Sequence, residues 1–237
     1  MFKKLVLKPA FIERMQKLLT PEDLEAYKKS LEEKPSVSLR CNTLKISPKE
    51  LKERLEEKGW KISQPWKTYP EVFVVKGKYV SKKEAEDIEK RLADRRIGIN
   101  IRRNFDDKTN PPKKTISNYP SASYSDRVLI HLEPGELGRA LEHLLGYYYI
   151  QDLASMLPVT ALDPKPGELV LDLCSAPGSK TTQISAYMEN KGTIIANEVS
   201  LSRIKILASN LERCGCANVI ITRKEGIALC KRFKNMN

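Results

Sequence analysis

The stretch Leu169-Val-Leu-Asp-Leu-Cys-Ser-Ala-Pro-Gly-Ser-Lys-Thr-Thr182 restricts what this chain can fold into more than any other. An apolar run interrupted only by Asp172 predicts a central parallel strand, buried on both faces. Ser175, Ala176 and Gly178 lack bulk, so the backbone there can approach a ligand closely, and Pro177 stiffens the turn. Thr181 through Tyr187 continues as a helix whose first N–H groups face that turn. Gly192-Thr-Ile-Ile-Ala-Asn-Glu198 then reads as a second strand. It closes on an acid about 20 residues past the turn, where a carboxylate suits two ribose hydroxyls. Ser200 opens a third helix with Ile204, Leu207, Ala208 and Leu211 on one face. Asn218 to Thr222 is a third strand, with Glu225 just beyond its end. The alternation points to a nucleoside site. The G-x-G-x-x-G fingerprint is absent, which argues against a nicotinamide cofactor, and Lys180 lacks the upstream glycine of a phosphate-binding loop.

The rest of the chain divides by pattern. Phe11, Met15, Leu18 and Leu19 form a helical stripe, and Thr20-Pro21-Glu22-Asp23 is a helix start with a cap, a first-position proline and acids. Val37 to Asn42 alternates as a strand. Ser47-Pro48 opens a helix to Lys58, closed by Gly59, and apolar segments follow at Trp60–Ile62 and Val72–Val75. That order predicts a small α+β module with a short antiparallel sheet. A charged helix from Ser81 to Arg96 leads into Arg102-Arg103 and a segment from Asp106 to Ser125 rich in Asn, Pro, Ser and Lys, which reads as a linker. Order returns at Leu137–Leu145 and Gly146-Tyr-Tyr-Tyr-Ile-Gln151. Asp152 is placed to cap a helix that Asp163-Pro164 stops after Leu162. The expected organisation is residues 1–80 as a helical and α+β module, 81–130 as a charged insertion, and 131–237 as the start of a nucleoside-binding domain.

Composition narrows the partners. The formal charge of +12 over 237 residues suits a polyanion, nucleic acid before an anionic membrane, and equally suits a Lys/Glu-rich surface. No apolar run reaches the roughly 20 residues of a membrane span, and no signal peptide opens the chain. The five cysteines are scattered, and Cys214-Gly-Cys216 has no matching Cys or His pair, so no metal is expected. The expected protein is cytoplasmic, monomeric and thiol-bearing. His131 and His143 are isolated and suit packing or surface roles. The tyrosines at 147–149 suit a half-buried strand better than base stacking. Arg40, Lys45, Lys67 and the basic residues of 102–114 are candidates for phosphate contacts, as readily as for ordinary surface.

Three motifs carry a resemblance. Leu-Asp-Leu-Cys-Ser-Ala-Pro-Gly-Ser-Lys-Thr-Thr resembles the first motif of the Sun-type RNA cytosine-5 methyltransferases. Arg40-Cys-Asn-Thr-Leu44 is similar to their N-terminal signature, in a module of RRM-like character, and Gly146-Tyr-Tyr-Tyr-Ile-Gln-Asp-Leu-Ala-Ser155 to the segment ahead of their cofactor domain. The resemblance implies an α/β architecture: a small α+β (RRM-like) module followed by a Rossmann-like methyltransferase domain, present here as about three parallel strands. It implies S-adenosyl-L-methionine as cofactor and RNA as partner, tRNA ahead of rRNA. Cys174, Ser175, Ala176, Pro177, Gly178, Ser179 and Lys180 would line the methionine and ribose side. Glu198 would take the ribose hydroxyls, Arg203 lies where the family keeps an arginine, and Glu225 would sit beside the adenine. Ser179 replaces a common glycine, and Glu225 replaces an aspartate.

The same resemblance implies chemistry in which a thiolate adds to cytosine C6 so that C5 can take the methyl group. The family's reacting cysteines lie in Pro-Cys motifs, and this sequence has no Pro-Cys dipeptide. No catalytic residue is therefore assigned. Cys174 reads as structural or cofactor-lining, and Cys41 and Cys230 as small apolar residues. With few residues after Thr222, the expectation is the N-terminal part of a longer methyltransferase, in which the strand at Leu169–Leu173, central in the family, has an exposed edge and an uncovered apolar face. The alternative from another class is a non-catalytic RNA-binding remnant.

Overall fold

The computed structural model describes residues 7–32, 37–94, 127–130, 132 and 135–232. Of the expected insertion at 81–130, residues 95–126, with Arg102, Arg103 and the linker segment, lie outside the described residues, as does His131. The backbone divides into two compact units, one within Met1–Ser36 and Tyr79–Ile130, the other within Val37–Lys78 and His131–Asn237.

In the first unit, helices α1 (Pro9–Leu18) and α2 (Pro21–Glu32) follow the predicted stripe and start signal. The backbone N–H of Asp23 donates to Thr20 Oγ1 at 3.2 Å, so the cap is real. The same unit holds the end of β3 (Val72–Ser81), α4 (Lys82–Asp94) and β4 (Arg127–Ile130). Val80, Ala85, Ile88 and Ile130 form its small core.

The second unit combines two sheets. The antiparallel one runs β2–β3–β1–β5, with β1 at Val37–Cys41, β2 at Trp60–Ser63 and β5 at Tyr148–Ile150. Helix α3 (Pro48–Glu57) starts where Ser47 accepts the Glu50 N–H, with Pro48 in its first turn. Leu51 and Leu55, one helical turn apart, bury against Leu39, Cys41, Phe73, Val75 and Tyr148. Each such leucine contributes about 1.5–3 kcal/mol. Strand alternation sends Ser38, Arg40, Val72, Val74 and Tyr149 to the other face, and all five are buried as well. The tyrosine run is thus a packed strand: Tyr148 and Tyr149 are not open to bases.

Short helices α5 (Glu136–Arg139) and α6 (Leu141–Leu144) precede β5, and α7 (Leu153–Leu162) follows it. Asp152 occupies the cap position of α7, but its side chain makes no cap hydrogen bond, contrary to expectation; the Ser155 N–H instead reaches the Asp152 carbonyl. Three parallel strands come next, in the order β6 (Leu169–Asp172), β7 (Thr193–Asn197), β8 (Val219–Thr222), alternating with α8 (Ser179–Tyr187) and α9 (Leu201–Cys214). The strand β6, whose apolar run suits a sheet centre, is at the edge among the described residues, and Leu169 is 51% exposed, the exposed edge expected of this strand here. β7 is the middle strand, hydrogen-bonded on both sides, with Ile194, Ile195 and Ala196 buried. An apolar run reports affinity for a core, not which neighbour supplies it.

Candidate functional site

Parallel strands point their carboxyl ends to one rim, and ligands of open α/β sheets bind outside that rim. Here the rim consists of the ends of β6, β7 and β8. A cleft of about 480 Å³ opens there, lined by Leu173, Cys174, Asn197, Glu198, Val199, Arg203, Glu225, Gly226, Ile227 and Cys230. The size suits a small organic ligand.

Glu198 stands at the end of β7 and is 3% exposed. Both carboxylate oxygens are held: Oε1 accepts the Ser200 N–H at 3.0 Å, and Oε2 faces Arg203 Nη1 at 3.0 Å. Arg203 projects from the first turn of α9, its side chain 52% exposed, and its other terminal nitrogen donates to the Ala176 carbonyl. Arg203 therefore ties the acid to the turn. Ser200 sits at the start of α9, where a side-chain cap was expected, but makes none; its backbone orients Glu198 and its hydroxyl meets Ser202.

The turn is bound into the fold from behind. Ser175 reaches the Asn197 carbonyl through both its N–H and its hydroxyl, at 2.9 Å each. The Pro177 carbonyl accepts Asn210 Nδ2 at 2.8 Å and the Tyr149 hydroxyl at 3.3 Å. Thr181 Oγ1 donates to Asp172 at 2.7 Å, fastening α8 to the end of β6. Gly178 caps α8 with φ near 106°, a conformation that a side chain rarely adopts. A Cβ there would also meet Leu207 Cδ1 at 3.1 Å.

Of the ten residues singled out in the sequence, the cleft gathers Cys174, Glu198, Arg203 and Glu225 on its wall. Ser175, Ala176, Pro177, Gly178, Ser179 and Lys180 form the turn and first helical residues beside it and are not part of that wall. Glu225 has a second task. Its oxygens accept the N–H groups of Ile227 and Ala228 at 3.1 and 2.9 Å, capping α10 (Gly226–Arg232), a helix the sequence reading did not anticipate.

Two residues escaped the sequence reading. Asn197 is buried and binds all three strand ends. Its Nδ2 donates to the carbonyls of Leu173 and Lys224, and its Oδ1 accepts Thr222 Oγ1 and the Lys224 N–H, at 2.9–3.2 Å. A polar residue just before the acid at a strand end was the available signal. Cys230, expected as an apolar filler, is exposed and lines the cleft with Cys174, because α10 folds back along the rim.

Arg40 and Lys45 are corrected too. Arg40 is buried, with its guanidinium donating to Gln151 and Thr182, and burial pushes its pKa down. Lys45 Nζ donates to the carbonyls of Leu145 and Arg213, at 3.1 and 2.7 Å, near the C-terminal end of α9, where a cation is favoured. Neither is available as a free phosphate contact. Lys67 is exposed, and of the 102–114 group nothing lies among the described residues. Cys41 is the expected apolar filler, its thiol pushed up to about 12 by burial. His143 is half-buried beside Tyr148, its pKa lowered by burial and then by Arg213. No helix among the described residues is long and apolar enough to cross a membrane.

The donor set fits an adenosyl ligand: a held carboxylate for vicinal hydroxyls, and apolar walls from Leu173, Val199 and Ile227 for a flat base.

Comparison with known proteins agrees along the chain. Residues 7–83 match a family profile described as the N-terminal domain of 16S rRNA methyltransferase RsmF. Residues 159–234 match one described as 16S rRNA methyltransferase RsmB/F. The ribosomal RNA small subunit methyltransferase F of Aliivibrio salmonicida is 36% identical over 192 residues, covering 80% of this chain and 29% of the relative. Its namesake in Erwinia tasmaniensis is 33% identical over 222 residues, covering 92% and 35%. The chain thus spans about a third of the length of these curated relatives. Among solved structures, a methyltransferase homologue from Pyrococcus horikoshii matches with a TM-score of 0.59 at 26% identity, over 95% of this chain and 60% of its own. NSun6 from the same organism matches with a TM-score of 0.66 at 22% identity, over 94% and 67%, a likeness of fold.

Proposed function

The chain belongs to the Sun-type RNA cytosine-5 methyltransferase family, whose members depend on S-adenosylmethionine, and on that premise we propose that it is the cofactor-holding part of a ribosomal RNA cytosine-5 methyltransferase. The observation that carries the reading is the buried, doubly held carboxylate of Glu198 on the wall of the rim cleft. Its remaining lone pairs take the ribose hydroxyls. Leu173, Val199 and Ile227 flank the adenine, with Glu225 at that end, and the turn from Cys174 to Lys180 runs beside the methionine portion. Bound there, the cofactor supplies a methyl group made electrophilic by its sulfonium. The residues of this chain bind and orient; Cys174 borders the site as a lining residue.

Ribosomal RNA takes precedence over tRNA, the reverse of the order expected from the sequence, because the curated relatives carry small-subunit ribosomal RNA in their names. Exposed Arg223, Lys224 and Lys231 around the end of β8 suit phosphate contacts beside the cleft. On this reading the protein works in the cytoplasm, the location expected from the sequence.

Isothermal titration of S-adenosylmethionine into the wild type and Glu198→Gln tests the reading. Saturable binding that the variant weakens by about tenfold to a hundredfold is expected, the loss of charged hydrogen bonds to two hydroxyls. No binding by the wild type, or equal binding by the variant, overturns it. Filter binding to small-subunit ribosomal RNA and tRNA in parallel decides the substrate class.

A further inference from the structure

We infer that Arg40 is a positioning residue for the cofactor turn, holding the first turn of α8 from the antiparallel sheet; this rests on the cofactor reading above. Arg40 and Tyr149 are direct register partners across β1 and β5. They share the face opposite α3, and each grips one end of the same short segment. The Tyr149 hydroxyl donates to the Pro177 carbonyl at 3.3 Å. Arg40 Nη2 donates to Thr182 Oγ1 at 2.8 Å, and Nη1 reaches the Thr182 carbonyl at 3.5 Å. Thr182 is the residue that closes the first turn of α8. Its N–H donates to the Gly178 carbonyl at 2.9 Å, and its hydroxyl donates to the Ser179 carbonyl at 3.1 Å. One cross-strand pair thus spans residues 177–182.

The guanidinium is also locked from its other side. Arg40 Nε donates to Gln151 Oε1, Gln151 Nε2 donates to Gln183 Oε1, and Gln183 Nε2 donates to the Met156 carbonyl, each at 3.1 Å. Arg40 is only 2% exposed. Its hydrogen-bond partners, Gln151 and Thr182, are neutral, and among the described residues it forms no salt bridge to a carboxylate. A buried cation without a counter-ion is a poor device for stability, since an apolar side chain of similar volume generally serves as well or better. What an apolar residue cannot supply is direction. The planar fork sets where the Thr182 hydroxyl points, and through it where the N-terminal N–H groups of α8 aim.

The test uses Arg40→Met, which keeps length and removes the donors, Thr182→Val, which removes the acceptor at constant shape, and the double variant. Titration gives the Kd for S-adenosylmethionine, and amide hydrogen exchange of the ligand-free protein reads residues 178–183 directly. Each single variant is expected to weaken binding about tenfold and to speed exchange at these amides while β7 stays protected. The loss in the double variant should fall clearly short of the product of the two single losses, because the Arg40–Thr182 hydroxyl hydrogen bond is removed by both changes. Unchanged exchange at 178–183, unchanged Kd, or losses that multiply in the double variant overturn the proposal. Should Arg40→Met fail to fold, Thr182→Val alone decides by the same two readouts. If the wild type binds no cofactor, the cofactor reading fails, and the exchange data on ligand-free protein still decide whether Arg40 orders the turn.

Discussion

Replacement of Asn197 by alanine removes a side chain that joins the ends of all three parallel strands. The amide makes four hydrogen bonds, to Leu173, Lys224 (twice) and Thr222, from a fully buried position. At a net value near 1 kcal/mol each, they contribute about 4 kcal/mol. Leu173 and Lys224 are exposed, so water can satisfy part of what is lost, and the expected destabilisation is about 2–4 kcal/mol. Asn197→Asp sharpens the reasoning. The new carboxylate keeps the two bonds that Oδ1 accepts but turns an acceptor toward the carbonyls of Leu173 and Lys224. The fold therefore favours the protonated acid and raises its pKa above the unfolded value. The deficit of this variant is then full at neutral pH and shrinks as pH falls through the raised pKa. Urea unfolding followed by circular dichroism at several pH values measures both variants, and titration of S-adenosylmethionine follows the cleft. A loss under about 1 kcal/mol for Asn197→Ala, or a pH-independent deficit for Asn197→Asp, refutes the clamp.

Gly146→Ala places a Cβ 1.9 Å from the Arg213 carbonyl oxygen at a φ of +73°, and that oxygen already accepts Lys45 Nζ at 2.7 Å. The expected cost is about 3 kcal/mol or more, read as a fall in the thermal midpoint. Alkaline stability should decline from about pH 9, because burial raises the thiol pKa of Cys41 from 9.0 to about 12 and that of Cys216 to about 11. The folded state keeps those protons while the unfolded state releases them, so stability is full below pH 9 and is lost as pH rises. Cys41→Ala should flatten the slope by up to about 1.4 kcal/mol per pH unit, measured by denaturant titration at pH 8 to 11. Thiol labelling of the native protein should reach exposed Cys174 and Cys230 quickly and buried Cys41 and Cys214 only on unfolding. Saturating S-adenosylmethionine should slow the first pair, since both line the cleft; equal rates with and without it contradict that placement.

Much of the candidate site was readable in one dimension because its parts are local. The small-residue turn, the helix after it and the acid closing β7 lie within about thirty residues, and each follows from steric bulk, capping or charge near that point of the chain. Glu198 and Arg203, five positions apart, meet because the chain passes directly from the end of β7 into the first turn of α9. Cys230 and Asn197 were not readable in this way. Their roles depend on α10 folding back along the rim and on three strand ends converging, neither of which leaves a periodic trace in sequence.

By itself, then, the sequence determined the alternation of strands and helices, the small-residue turn and the acid that closes β7, since these depend on neighbours along the chain. Only the tertiary structure decided that β7 lies between β6 and β8 among the described residues, because apolarity says that a residue seeks burial and not which strand lies beside it. It alone also turned Arg40 inward. A guanidinium is equally compatible with phosphate and with a buried hydroxyl, and the pairing of β1 with β5 brings Thr182 within its reach.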